Sequence, residues 1–250
     1  MTTADRNPWR SLRDFLKEYL IIVIGVLTAL GAGKVVENLD WADRTGKTEA
    51  HLKAELTNAT IGAQAHIAQE RCEYDMLERL RVALLRSGDD WDPPVVAVRA
   101  DGVPFAVFAA PITGYLSQGW RNAQADGTAN HFDQDEQLRF GAAYSLLEHG
   151  KAANDAEHAD EAELNSLAWP RKLDPQSRTQ YLRLISRLNE EVRTMATNGR
   201  QILEETKGLG VKPGRLEDYG PALKVYQEAC RQFYAGQRQI RIANPPAKGA

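Results

Sequence analysis

One uncharged run dominates the hydropathy pattern: from Tyr19 to Gly33, 15 residues carry no charge at all. As helix they rise roughly 22 Å, short of a bilayer core of about 30 Å. The flanks lengthen the run. Phe15 and Leu16 extend its apolar surface upstream, and Val35 and Val36 extend it downstream. Lys17 and Lys34 can lay their methylene stems along lipid and lift the ammonium groups to the headgroups. Trp9, Tyr19 and Trp41 are amphipathic rings of the kind that settle at such an interface. Counted from Phe15 to Val36, the segment is long enough to span. Within it Gly25, Ala29 and Gly33 recur every four residues, a small-residue face on which a second helix can approach closely.

Beyond Lys34 the apolar positions fall at helical spacing. Leu52, Leu56, Ala59, Ala63 and Ile67 advance by steps of three and four, and Tyr74, Leu77, Leu80 and Leu84 resume the stripe. Continuous from Leu39 to Arg86, this helix would be roughly 70 Å long, with Gly46 and Gly62 as its predicted bends. Pro93-Pro94 ends the pattern. Residues 95–108 are β-branched and extended in character, so they predict either a short hairpin turning at Ala100-Asp101-Gly102 or an irregular apolar loop. Pro104 would confine a hairpin to an edge. A second helix is expected from Ile112 to about Gln124. A third starts at Asp133 with Glu136 as its capping-box partner and reaches as far as Leu167. Asp174-Pro175 starts the fourth, whose seam of Tyr181, Ile185, Leu188, Val192, Met195, Gly199 and Ile202 alternates steps of four and three, as in a coiled coil. The fifth begins near Pro221 and carries Leu223, Tyr226, Cys230, Phe233 and Ile240 on one face. The fold class this predicts is all-α, with an amino-terminal spanning helix running into an antiparallel bundle.

The apolar run admits three readings. A buried core helix would have to accept charges at both ends and an apolar circumference. A cleaved signal peptide fits the basic start and the small residues at Ala29-Leu30-Gly31, but the segment before it is long and the helical pattern runs on past it. A retained anchor accounts for all of these features. The expected organisation is therefore a short cytoplasmic tail (1–14), a transmembrane anchor (15–36), an extracytoplasmic helical bundle (37–243) and a disordered tail (244–250). Arg6, Arg10, Arg13 and Lys17 precede the span against Lys34, Arg44 and Lys47 after it, so the positive-inside rule places the amino terminus in the cytoplasm by a narrow margin.

Composition changes this picture little. The net charge is -3 with acids and bases interspersed, and no basic run offers a nucleic-acid footprint. Cys72 and Cys230 belong to no Cys-x-x-Cys motif; they form either one disulfide of an exported domain or two small core residues.

The opening "FLKEYLIIVIGVLTAL", then Trp41, then "EAHLKAELTNAT" with its Leu-x-x-Glu pattern at Leu52–Glu55, resembles a group of bacterial single-pass proteins carrying a domain of unknown function. The later "GYLSQGWRNAQADG" is similar to that group's middle helix. The chain departs from it by placing ten residues between Leu30 and Trp41, where many members have fewer. The resemblance covers about the first 75 residues and implies an inner-membrane anchor with a helical extracytoplasmic domain. It implies no activity.

Motifs for chemistry are sparse. There is no His-Glu-x-x-His, no phosphate loop and no Gly-x-Ser-x-Gly elbow, and the pattern calls for no cofactor. Asp155-x-x-His158, followed by Asp160, Glu161 and Glu163, reads as a solvated helix face, because bundle metal sites draw such elements from several helices. Trp120, Arg121, Tyr115 and His66 are the residues that a ligand pocket between helices would use, with Arg121 meeting an anion; packing of Trp120 in the core with Arg121 in water is the simpler arrangement. The expected role is a noncatalytic, membrane-anchored interaction or accessory protein whose partner is itself or another membrane protein. The alternative is a ligand-sensing extracytoplasmic bundle that signals through a partner.

Overall fold

The apolar run and the stripe that follows it form one uninterrupted rod. The computed structural model describes residues 8–95, 97–98 and 104–243. Its first helix, α1, runs from Pro8 to Arg86, 79 residues, or about 120 Å of helix. The spanning segment is apolar enough to cross a membrane, and none of that window is buried against the rest of the chain. The anchor's small face is equally bare, since a Cβ added to Gly25 or Gly33 would meet nothing.

Neither glycine interrupts the helix. Gly46 lies within continuous helix, and so does Gly62, where a Cβ would collide with the Thr113 methyl group. Gly62 is a notch that lets another segment lie close, not a hinge. Arg178 closes the far end of the rod by donating to the carbonyls of Ser87 (2.7 Å) and Gly88 (2.6 Å), as a cation at a helix carboxy terminus should.

The architecture is all-α apart from two small strand pairs. Four further helices follow: α2 (Gln118–Ala125), α3 (Gln134–Leu164), α4 (Pro175–Gly208) and α5 (Pro221–Ala243). The predicted caps form. Asp133 accepts from the Glu136 amide at 2.8 Å while the Glu136 carboxylate returns to the Asp133 amide. Asp174 accepts from the Ser177 amide at 2.9 Å, with Pro175 in the first turn. Along α4 the seam from Ile185 through Leu188, Val192, Met195 and Gly199 to Ile202 is buried, and both α1 and α3 pack along this helix. Gly199 brings α4 within reach of the Ala63 carbonyl of α1.

Of the small strands, β1 (Asp90–Trp91) pairs antiparallel with β4 (Arg171–Lys172), tying the exit of α1 to the entry of α4. The Trp91 indole donates to the Leu167 carbonyl at 2.8 Å beside it. The expected hairpin forms between β2 (Ala97–Val98) and β3 (Pro104–Ala106), with an irregular register; the turn proposed at residues 100–102 lies outside the described residues, as does the tail 244–250.

The second helix starts six residues later than its sequence suggests. From Ala106 to Ser117 the chain is non-helical instead, and between Ile112 and Ser117 exposed and buried residues alternate as in an extended segment. Side chains from α3 take up the backbone groups that a helix would have satisfied. Asn165 accepts from the amides of Val107 (2.9 Å) and Phe108 (3.1 Å) and donates to the Phe108 carbonyl, and Asn154 accepts from the Thr113 amide at 3.0 Å. Two asparagines thus hold the segment across the bundle.

The bundle has two apolar cores. The proximal one, nearer the amino-terminal apolar segment, gathers Leu52, Leu56 and Ala63 of α1 with the aromatic group Trp120, Phe132, Phe140 and Tyr144. The distal one gathers Leu77, Leu80 and Leu84 with Phe108, Leu188 and Phe233. Cys72 and Cys230 form a disulfide at the edge of the distal core, with a Cα–Cα distance of 5.9 Å, and this fixes α5 to α1. Of the two readings open for the cysteines, the structure takes the first.

Candidate functional site

Between the two cores lies a layer of buried polar side chains. His66 and Glu73 project from α1, Asn154 and Glu157 from α3, and Thr113 from the extended segment. The spacing explains the placement. His66 and Glu73 are seven residues apart, two turns of one helix face, and they interrupt the leucine stripe of α1 between Ala63 and Met76. Asn154 and Glu157 share the inward face of α3 in the same way, one turn apart.

The geometry leaves polar atoms without hydrogen-bond partners. His66 is 1 % exposed; its Nε2 pairs with the Thr113 hydroxyl at 2.9 Å, while its Nδ1 has no hydrogen-bond partner and faces the Glu157 carboxyl at 3.9 Å, too far for a hydrogen bond. Glu157 is fully buried with neither oxygen partnered, and Glu73, 1 % exposed, has one oxygen unpartnered. The Tyr115 hydroxyl is likewise buried without a partner. Native interiors leave few such groups, and each calls for a physical explanation.

Electrostatics follow from burial. Desolvation pushes the Glu157 carboxyl up to about 8, aided by the negative charges of Glu161 and Glu191. Glu73 is raised well above its ordinary range, first by burial and then by Glu157, Glu161 and Glu70. Burial drives His66 the other way, down to about 3, with His158 adding repulsion and the Asn154 amide opposing the shift. Each group is therefore held in its neutral form. The mouth of the layer is polar as well. His158 lies 3.0 Å from the Glu161 carboxylate, and Arg187 pairs with Asp160 at 2.6 Å.

The stretch 155–163 corrects its sequence reading as a solvated face. Asp155 is exposed and pairs with Lys151, but Glu157 is buried, and Asp160 and Glu161 are largely covered. The cover comes from residues distant in sequence, and an acid with no adjacent apolar stripe gives no local sign of it. Of the four pocket residues named from sequence, the fold brings Tyr115 and His66 to the layer. Trp120 packs among Phe132, Phe140 and Tyr144 in the proximal core, and Arg121 faces solvent beside Glu148 at 3.3 Å. Glu73, Asn154 and Glu157 are the members that local pattern missed. Glu73 gave one faint signal, an acid interrupting an otherwise apolar stripe. Among the described residues, no three His, Cys, Asp or Glu side chains are arranged to hold a metal ion.

Nearer the apolar segment of α1, Trp41 stacks on His131 with ring centroids 3.9 Å apart, and Arg44 lies over the same indole at 5.4 Å. This contact seats the turn at Thr128–His131 on α1 five residues past Val36, roughly 7 Å along the helix.

Compared with family models, curated proteins and solved structures, the chain has no match in any of the three. What it can do is therefore argued from its own geometry.

Proposed function

We propose that this chain is a single-pass anchored accessory protein of the bacterial inner membrane, with its helical bundle in the periplasm and its role exercised through contacts with other membrane proteins or a second copy of itself. The observation that carries this reading is the combination, within α1, of an unburied apolar segment and a disulfide-bonded cysteine. Disulfides persist in oxidising compartments and are rare in reducing ones, so Cys72–Cys230 favours an extracytoplasmic bundle independently of the charge bias around the span. The resemblance to single-pass proteins with a helical domain points the same way.

The bare face at Gly25, Ala29 and Gly33 is where a partner helix would sit, because small residues let helix backbones approach in lipid. Replacing Gly25 and Ala29 together with leucine is expected to lower self-association at least several-fold in a membrane two-hybrid reporter, with anchor insertion unchanged. An undiminished signal would remove the anchor from the interaction.

A second reading is favoured by one specific observation. A purely structural bundle gains most from a continuous apolar core, yet this one interrupts its core with His66, Glu73 and Glu157. A sensory bundle that reports along α1 to a partner would have a use for such a layer.

A further inference from the structure

We infer that the Glu73–Glu157–His66 layer is a buried proton-binding switch, which holds the bundle closed while its carboxyls are protonated and loosens α3 from α1 when they ionise. The geometry carries the inference. Glu157 is wholly enclosed with both oxygens unpartnered, the unpartnered Nδ1 of His66 faces it, and Glu73 presents an unpartnered oxygen from the same helix as His66.

The groups around Glu157 supply no compensating cation. From α1 it meets His66 and Glu73; from α3 itself, Glu161; from α4, Glu191; and the phenols of Tyr115, Tyr219 and Tyr226 lie near it, while Glu70 acts on Glu73 and His158 on His66. The cations at the rim are already engaged, Arg187 by Asp160 and Arg200 by Glu70. A carboxylate formed here would be desolvated and surrounded by acids, a cost that falls only if water enters the layer. Each step is simple dissociation: the carboxyl O–H breaks, its electron pair stays on oxygen and the proton passes to solvent.

The fold fixes which side gives way. The disulfide at Cys72, next to Glu73, holds α5 to α1, whereas α3 packs chiefly on α4 and reaches α1 through side chains, the Tyr144 hydroxyl donating to the Leu52 carbonyl and the Glu55 carboxylate. Ionisation therefore moves α3 and the Thr113 segment outward and leaves α1 and α5 together.

Linkage sets the pH window. Raised carboxyls give stability that is complete below their ordinary value near 4.5 and is lost as pH rises through the folded value, about 8 for Glu157. His66, lowered to about 3 from 6.5, gives stability present above 6.5 and lost as pH falls toward 3. The two slopes oppose one another between 4.5 and 6.5, so the maximum lies in mildly acid medium and the carboxyl loss dominates above it.

The biological setting of the switch rests on the periplasmic reading, since that compartment follows external pH; the titration itself does not, and is tested on purified full-length protein in detergent. Melting is measured from pH 5 to 9 for the wild type and for Glu73→Gln/Glu157→Gln. The wild-type Tm is expected to fall by roughly 5–10 °C between pH 6.5 and 8.5, and the double variant to lose most of that slope. Infrared spectra keep the test sharp should the double variant fold poorly: the wild type is expected to show a protonated-carboxyl band at pH 6 that disappears by pH 9, and Glu157→Gln to reduce it. An unchanged pH slope in the folded double variant, absence of that band, or stabilisation by added zinc or manganese that EDTA reverses would overturn the switch, the last in favour of a metal centre.

Discussion

Single side chains decide how the layer and its cover are built, and most of them were illegible in the sequence. Asn165 sits at the end of α3 with nothing nearby to mark it, yet it satisfies both amides of Val107 and Phe108 and the Phe108 carbonyl. Its replacement by alanine leaves buried backbone groups unpaired. Asn165→Ala is therefore expected to destabilise the purified protein by about 1–3 kcal/mol in chemical denaturation, while a surface control such as Glu190→Ala changes little. Glu157 was hidden for a related reason: its burial depends on a segment more than 40 residues upstream and on α1 beyond it. Gly62 shows the converse error. A glycine inside a helical stripe reads as a bend, but its use here is to admit Thr113. A missing side chain weakens a helix and also opens space, and only the packing partner tells which role applies.

At the scale of elements, periodicity and capping chemistry were sufficient where structure is local. The Asp133–Glu136 box, the Asp174-Pro175 start and the α4 seam all depend on residues within a few positions of each other, and all appear as expected. The extended segment from Ala106 to Ser117 is only partly legible because its backbone partners are asparagine side chains at and within α3. The link between α1 and α5 was open for the same reason, since spacing alone does not pair two cysteines 158 residues apart. That link closes a long loop, so reduction, or Cys72→Ser with Cys230→Ser, is expected to lower stability by roughly 2–5 kcal/mol. The loss should appear first as detachment of α5, read by faster hydrogen exchange around Leu223–Phe233 with α4 still protected. Simultaneous exchange of all helices would mean that the disulfide stabilises the bundle only as a whole.

For the whole molecule, the central feature is one helix that carries an unburied apolar segment long enough to cross a membrane and also serves as the spine of the bundle. The amino-terminal apolar part of α1 is unburied, its distal part carries the disulfide, and the helix between them is unbroken. On the proposed reading, a continuous helix of this kind would carry a change in the layer to the apolar segment, where a flexible linker would absorb it. Both the accessory and the sensory readings require the bundle to stand outside the cytosol. The most direct measurement places a cysteine at Lys172, whose side chain is 84 % exposed on β4, and labels it with a membrane-impermeant maleimide in intact spheroplasts. Labelling before lysis, on protein that stays in the membrane fraction after alkaline carbonate washing, is the predicted result. Labelling only after lysis, or recovery of the full-length chain from the soluble fraction, would contradict the account.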